Sequence, residues 1–362
     1  MPYGYLDTSY IDFPGNIDVE YVRGLQNAAG ATFEDVIQDI DARLSAFNSS
    51  LPRLVADLVY PTTMIATDGT APVAFDVTER GEYTMSRPQR TDNAGHMLPI
   101  AGYDVSVGFT EDGLEEMSQQ DILNNVESML LGYRNLYVIQ VLNRLMSDNE
   151  IRVDDGTNVT SPGFPGSGTG DNVFERDFPD GRSLPNDYTH YLYADTSNSG
   201  DLETQIDAAI DRLMEWQDPP YDMVCTSAMM DLVEDLPKFL DAGSELIRDG
   251  DDDDANVDPE IYAGAYGKYV RVRHEIQRGG TQANLSIFKT EGTLAEGNPL
   301  RWRYKDNVER GRSAVLRYRD FYPLANAQII QDFGVGVQGD RTKGINVYAA
   351  DGASAYQNPT FA

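Results

Sequence analysis

Four groups of residues have types and spacings that could do chemistry. Asp249 to Glu260 (DGDDDDANVDPE) places Asp249, Asp251, Asp253 and Glu260 at relative positions 1, 3, 5 and 12, the carboxylate spacing of a calcium loop. Position 6, where the sharp turn needs glycine, is Asp254, and position 9 is Val257, which offers no ligand. The stretch reads first as a solvated acidic loop. Those four acids are the chain's metal candidates, and a structural calcium or magnesium ion is the only cofactor it suggests. Gly166, Gly168 and Gly170 lie in SPGFPGSGTGD (161–171), which neither follows a clear strand nor opens a helix, as a phosphate cradle requires, so it reads as flexible linker. His96, His190 and His274 are scattered without an HExxH pattern or a nearby nucleophile motif. Cys225, the sole cysteine, excludes an intrachain disulfide and a cysteine metal cluster, and reads as a small buried hydrophobe. Asn48, Asn158 and Asn284 open glycosylation tripeptides of a kind that arises often by chance. None of these is a catalytic constellation, and the chain reads as a non-enzyme.

The arginines carry more weight. In Arg301-Trp302-Arg303 and Arg317-Tyr318-Arg319, strand alternation puts both guanidinium groups of each pair on one face. Such a face suits the carboxylates of a neighbouring copy through bidentate pairs. An intramolecular salt-bridge face and packaged DNA are the alternatives. Composition bears on the choice: 28 basic residues against 59 acidic ones give a net charge of −31, which argues against a purely electrostatic nucleic-acid binder. The acids are mainly Asp (40 against 19 Glu) and the bases mainly Arg (23 against 5 Lys). Self-repulsion on this scale fades at about 1 M salt, where the Debye length is about 3 Å, so the surface suits a high-salt organism. There is no signal-peptide pattern and no apolar run long enough to span a membrane.

The elements that would position these residues form a distinctive series. Residues 1–30 are an arm rich in Tyr, Pro and Gly, with Tyr3, Tyr5, Tyr10 and Phe13 available to dock on another surface. Apolar residues from Phe33 to Phe47 recur at steps of three and four, which predicts a helix capped at Thr32. From Leu54 to Thr110 the pattern turns to strands (Val55 to Ile65, Val73 to Thr78, Ile100 to Phe109) with a polar tip carrying Arg87 and Arg90. A long helix follows from Ser118 to Ser147, with Ser118 and Asp121 at the capping-box spacing. After a turn-rich region, Asp201 opens an α/β unit containing a helix to Met214, a strand at Met223 to Cys225 and a helix from Ser227 to Leu240. Strands return between Tyr269 and Tyr318.

This order resembles the major capsid proteins of tailed double-stranded DNA viruses, the HK-97-type fold. The most specific stretch is RSAVLRYRDFYPLANAQII, within Asp306 to Ile330, which is similar to the family's last long peripheral strand turning near Pro323 into the axial domain. The resemblance implies an α+β chain divided into an N-terminal arm and short helix (1–53), an extended β-hairpin loop (54–112), a peripheral domain with spine helix 118–147 (113–200), an axial domain (201–294), returning peripheral strands (295–320), and an axial return with C-terminal tail (321–362). It implies self-assembly through hexameric and pentameric capsomers into an icosahedral virion capsid around DNA, without sequence-specific binding or a membrane, in the host cytoplasm. Separate scaffold, portal and decoration proteins are the expected partners, and the composition adds a haloarchaeal host. Inter-subunit contacts are expected at Tyr3, Tyr5, Tyr10, Phe13, Arg87, Arg90, Arg301, Arg303, Arg317 and Arg319. Some family members cross-link through a loop lysine, but residues 51–237 contain no lysine, so contacts from this loop must be non-covalent. An encapsulin-type nanocompartment shell and a halophilic enzyme with an unrecognised site are the rival readings.

Overall fold

The structure is a computed structural model and describes residues 33–70, 93–108, 116–148, 151–152, 160–161, 163–166, 182, 188–241, 262–273, 282–306, 313–318, 326–337 and 341–361. The described helices are α1 (Phe33–Ser49), α2 (Arg53–Leu58), α3 (Gln119–Met146), α4 (Asp201–Met214) and α5 (Ser227–Glu234). At 1.5 Å per residue, the 28 residues of α3 run about 42 Å. Its start is the expected capping box: the Ser118 hydroxyl accepts from the Asp121 amide, and the Asp121 carboxylate accepts from the Ser118 amide.

A first sheet gathers strands from four parts of the sequence. β1 (Val59–Thr62) runs parallel to β13 (Leu300–Tyr304), and β13 pairs with the long β15 (Asn326–Val337). β4 (Ala101–Gly108) and β14 (Val315–Tyr318) both pair with Ile329 and Ile330 of β15, so they lie on its opposite edges. Beneath this sheet, α1, α2 and α3 close an apolar core around Phe47, Tyr137, Trp302 and Phe333. The Trp302 and Phe333 rings stack with centroids 4.4 Å apart, and the Tyr137 ring meets both edge-on. Tyr137 donates to Gln331 Oε1. The Tyr133 hydroxyl lies 2.7 Å from the Tyr103 carbonyl and 2.9 Å from that of Ile329, so α3 is keyed to both paired strands at once.

A second sheet of seven strands runs in the order β7 (Tyr191–Asp195), β16 (Gly344–Ala350), β12 (Ala283–Phe288), β8 (Tyr221–Cys225), β11 (Val270–Arg273), β10 (Tyr262–Tyr266), β9 (Phe239–Asp241). One face is apolar: Met223, Cys225, Val270, Val272, Leu285, Ile287, Ile345 and Val347 pack with Ile206, Leu213, Met229 and Val233 of α4 and α5. Two ribbons complete the described strands, β2 (Ala66–Thr70) with β3 (Asn93–Met97), and β5 (Ile151–Arg152) with β6 (Thr160–Ser161).

Several sequence expectations need correction. Residues 53–58 form α2 rather than the start of a strand, because Leu54, Val55 and Leu58 bury one helical face against the first core. The second helix of the α/β unit ends at Glu234, short of Leu240. The chain does not leave the first sheet near Pro323: all of β15 to Val337 still pairs there, and the second sheet is entered only at Gly344. The strand expected at Val73 to Thr78 lies outside the described residues. Within SPGFPGSGTGD, residues 163–166 are buried, not a loose linker.

Replacing Tyr137 with Ala should lower unfolding free energy by about 3–5 kcal/mol, whereas Tyr133→Phe, which deletes one hydroxyl, should cost about 1 kcal/mol. Urea unfolding monitored by far-UV circular dichroism measures both.

Candidate functional site

The second face of the seven-stranded sheet is polar and is nevertheless buried. Alternation that points Val270 and Val272 into the second core turns Arg271 and Arg273 the other way, beside Asp222 on β8. The Arg273 guanidinium donates to Asp222 Oδ2 through Nε at 3.0 Å and Nη2 at 2.8 Å, and to Asp57 Oδ2 of α2 through Nη2 at 2.7 Å. Arg271 Nη2 approaches Asp222 Oδ1 at 2.7 Å, and both guanidinium groups lie near the Tyr262 ring. Thr293 donates to Asp57 Oδ1 at 3.2 Å, and the Leu294 amide to the Ala56 carbonyl at 2.6 Å. The Asp222 and Arg273 side chains are only 1% and 2% exposed, so each charge depends on the opposite charges packed around it. This cluster fastens α2, which leads directly into β1 and the β2–β3 ribbon, to the second sheet.

A second fastening surrounds the C-terminal end of α3. The last carbonyls of a helix have no partner within it. Here the Phe164 amide donates to Arg144 O at 3.0 Å and the Tyr356 hydroxyl to Met146 O at 2.6 Å, while Asn358 Oδ1 accepts from the Asp148 amide at 2.9 Å. The buried Arg144 side chain donates to Val335 O at 3.1 Å, and burial lowers its pKa to about 10. The glycines of 163–166 are there for close approach: a Cβ on Gly163 would sit 1.8 Å from Ser147 O, and one on Gly166 would sit 2.3 Å from the Arg341 guanidinium carbon. Arg341 is itself buried and donates to Gly163 O through Nε and Nη2.

His190 adjoins this fastening, its amide donating to Gly166 O at 2.9 Å. Burial, with the Arg341 and Arg212 guanidinium groups, pushes its imidazole pKa down to about 3. Cys225 is fully buried, and burial raises its thiol pKa, so it is not poised as a nucleophile. No group of three or more His, Cys, Asp or Glu among the described residues could hold a metal ion, and no described helix is long and apolar enough to cross a membrane.

The residues singled out from the sequence fare unevenly. Arg303 is buried and donates to Leu98 O of its own chain. Arg301 is half-buried over the Tyr60 ring and donates to Glu296 O at 2.7 Å. Arg317 stands on β14 opposite Gln328. Tyr3, Tyr5, Tyr10, Phe13, Arg87, Arg90, Arg319, Asp249, Asp251, Asp253 and Glu260 lie outside the described residues. The Asn48 amide is engaged in a reciprocal pair with the Ala314 backbone and Asn284 is fully buried, so neither is placed for a glycan. Large apolar side chains stay exposed at Leu131 (59%) on α3, and at Met64 (55%) and Ile65 (57%) beside the β2–β3 ribbon. The Asp57–Asp222–Arg273 cluster was not anticipated, although a single Asp inside the apolar run Tyr221 to Cys225 and the alternation of Val270 to Arg273 are its visible signal.

No protein-family model matches the chain, and no curated protein matches it either. Solved structures do. The fold is shared with a chain of Mycobacterium phage Patience. That likeness spans 96% of this chain and 97% of the other, at 15% identity and a TM-score of 0.61. More distant likenesses include the capsid of a native GTA particle (11% identity, 83% and 92% coverage, TM-score 0.47) and the capsid of Ralstonia phage GP4 (13%, 84% and 93%, 0.46).

Arg273→Met removes the buried guanidinium that Asp222 Oδ2 and Asp57 Oδ2 share and should cost about 3–5 kcal/mol in urea unfolding. His190 gives a pH signature. The unfolded imidazole titrates near 6.5 and the folded one near 3. Between those values only the unfolded chain takes up the proton, so this contribution to stability is complete above pH 6.5 and is lost as pH falls towards 3. His190→Gln should therefore lose less stability between pH 7 and pH 4 than the parent, by on the order of 3 kcal/mol.

Proposed function

We propose that this chain is a major capsid protein that assembles with copies of itself into the icosahedral shell of a tailed double-stranded DNA virus. The observation that carries the reading is the fold shared, end to end, with a chain of Mycobacterium phage Patience. The protein's work is then association rather than catalysis. On this reading α3 is the spine helix, the first core and sheet form the peripheral domain, the second sheet with α4 and α5 forms the axial domain, and β2–β3 is the stem of the extended loop. A likeness to a phage chain favours the viral shell over the nanocompartment.

The exposed apolar side chains support contacts between copies at Leu131, Met64 and Ile65. Tyr3, Tyr5, Tyr10, Phe13, Arg87, Arg90, Arg301, Arg317 and Arg319 remain our candidates for further contacts, and hexameric and pentameric capsomers, a scaffold, a portal and decoration proteins are the partners the reading implies. The net charge of −31 on a mainly Asp and Arg background supports a high-salt host, which we assign to a haloarchaeon.

Electron microscopy of the purified chain across protein concentrations and from 0.1 to 3 M salt tests the assignment. Closed round shells are expected, and a monomer under every condition contradicts it. Leu131→Asp should leave monomer stability within about 0.5 kcal/mol of the parent while abolishing assembly, as read by sedimentation. The melting temperature should rise steadily with salt through the molar range, and a curve that is flat or falling above 0.2 M removes the high-salt assignment.

A further inference from the structure

Further along the polar face of the seven-stranded sheet is a patch that the ion pairs do not account for. Ser286 on β12 and Asn346 on β16 are register partners, and Asn284 stands two residues from Ser286 on the same face. All three residues are 0% exposed. Among the described residues, Ser286 Oγ, Asn284 Oδ1 and both amide atoms of Asn346 have no hydrogen-bond partner. Register places Val224 beyond Ser286 on β8 and Tyr191 beyond Asn346 on β7, which bounds the patch on both sides. The C-terminal segment crosses it: Gln357 O accepts from Asn284 Nδ2 at 2.8 Å, and the Tyr356 ring lies 5.2 Å from that of Tyr191 and 6.2 Å from that of Tyr348.

Opposed residues on antiparallel strands hold their Cβ atoms about 5 Å apart and diagonal neighbours about 7 Å, so the Ser286 and Asn346 atoms share one small volume with Asn284 beside it. Leaving four such atoms unmet would consume a large part of the net stability of an ordinary domain. Their chemistry defines what meets them. A cation would suit the two amide oxygens but meets the Asn346 NH2 head-on, and an anion has the opposite conflict. Water both donates and accepts, and polar patches between layers are where proteins bury it.

We propose that Ser286, Asn346 and Asn284 bind ordered water between the seven-stranded sheet and the C-terminal segment, as an integral internal site. The site stands independently of the capsid assignment. It joins the sheet to the C-terminal segment through exchangeable hydrogen bonds, where the neighbouring part of the face uses the Asp222–Arg273 ion pairs.

A structure of the protein, free or assembled, at a resolution that shows water tests this directly. The site predicts a density peak within hydrogen-bond distance of both Ser286 Oγ and the Asn346 amide in every copy. A direct Ser286–Asn346 bond with no density beside it overturns the proposal. A mutant cycle in urea adds a solution measurement on the unassembled protein. Ser286→Ala and Asn346→Leu should each lower the unfolding midpoint, and the double variant should fall no further than the worse single. Fully additive losses would also overturn the site.

Discussion

Burying the polar face of a β-sheet is the constraint on which this molecule turns. Most sheets with one polar face leave it to water. Here the face opposite the second core carries Asp222, Arg271, Arg273, Asn284, Ser286 and Asn346, and the rest of the chain covers it. Asp222 pairs with Arg271 and Arg273 within the sheet, whereas Arg273 reaches Asp57 and Asn284 reaches the Gln357 carbonyl in the covering segments. Asp57 lies in α2, so α2 is held against β8 and β11, strands more than 160 residues away in sequence. Val224 and Phe288 point from the same face into the first core, so apolar contact and charge pairing are interleaved along one seam.

The end of α3 shows the same economy of partners. Its terminal carbonyls are met by Phe164 and Tyr356, and Asn358 holds Asp148 just beyond. A helix fixed at its start by the Ser118–Asp121 box and at its end by remote segments behaves as a rigid beam between the two layers. Its outward side still exposes Leu131, and the ribbon base exposes Met64 and Ile65. Polar pairing thus fastens the seam between the layers, while apolar surface is left uncovered at Leu131, Met64 and Ile65.

How much of this was legible depended on whether the signal was local. The period of α3 and its capping residues are written in adjacent positions, and the helix falls within a residue of expectation. The run from Leu54 to Thr62 is not decided locally, since an apolar stretch of that length suits a strand or a buried helix, and packing under the first sheet made its opening helical. Glycines in 161–171 looked like freedom, whereas Gly163 and Gly166 are required by backbone and guanidinium groups pressed against them. Arg303 looked like surface because arginine usually is; its neighbour, the Leu98 carbonyl, is 205 residues away and invisible in a linear reading. Pro323 suggested a change of sheet that in fact comes after Val337. The legible trace of the seam is the placement of Asp222, Arg271 and Arg273 inside otherwise apolar strands.

The central claim is that the buried polar seam makes the two layers fold as one unit. The chain has two tryptophans, Trp302 in the first core and Trp216 just beyond α4 in the second unit, so Trp216→Phe and Trp302→Phe each leave one reporter. Urea unfolding of the unassembled variants, followed by tryptophan fluorescence and far-UV circular dichroism, measures the coupling. The account predicts a single coincident transition in both variants, splitting into two once Arg273→Met is added. Separate Trp216 and Trp302 transitions with the seam intact would contradict it.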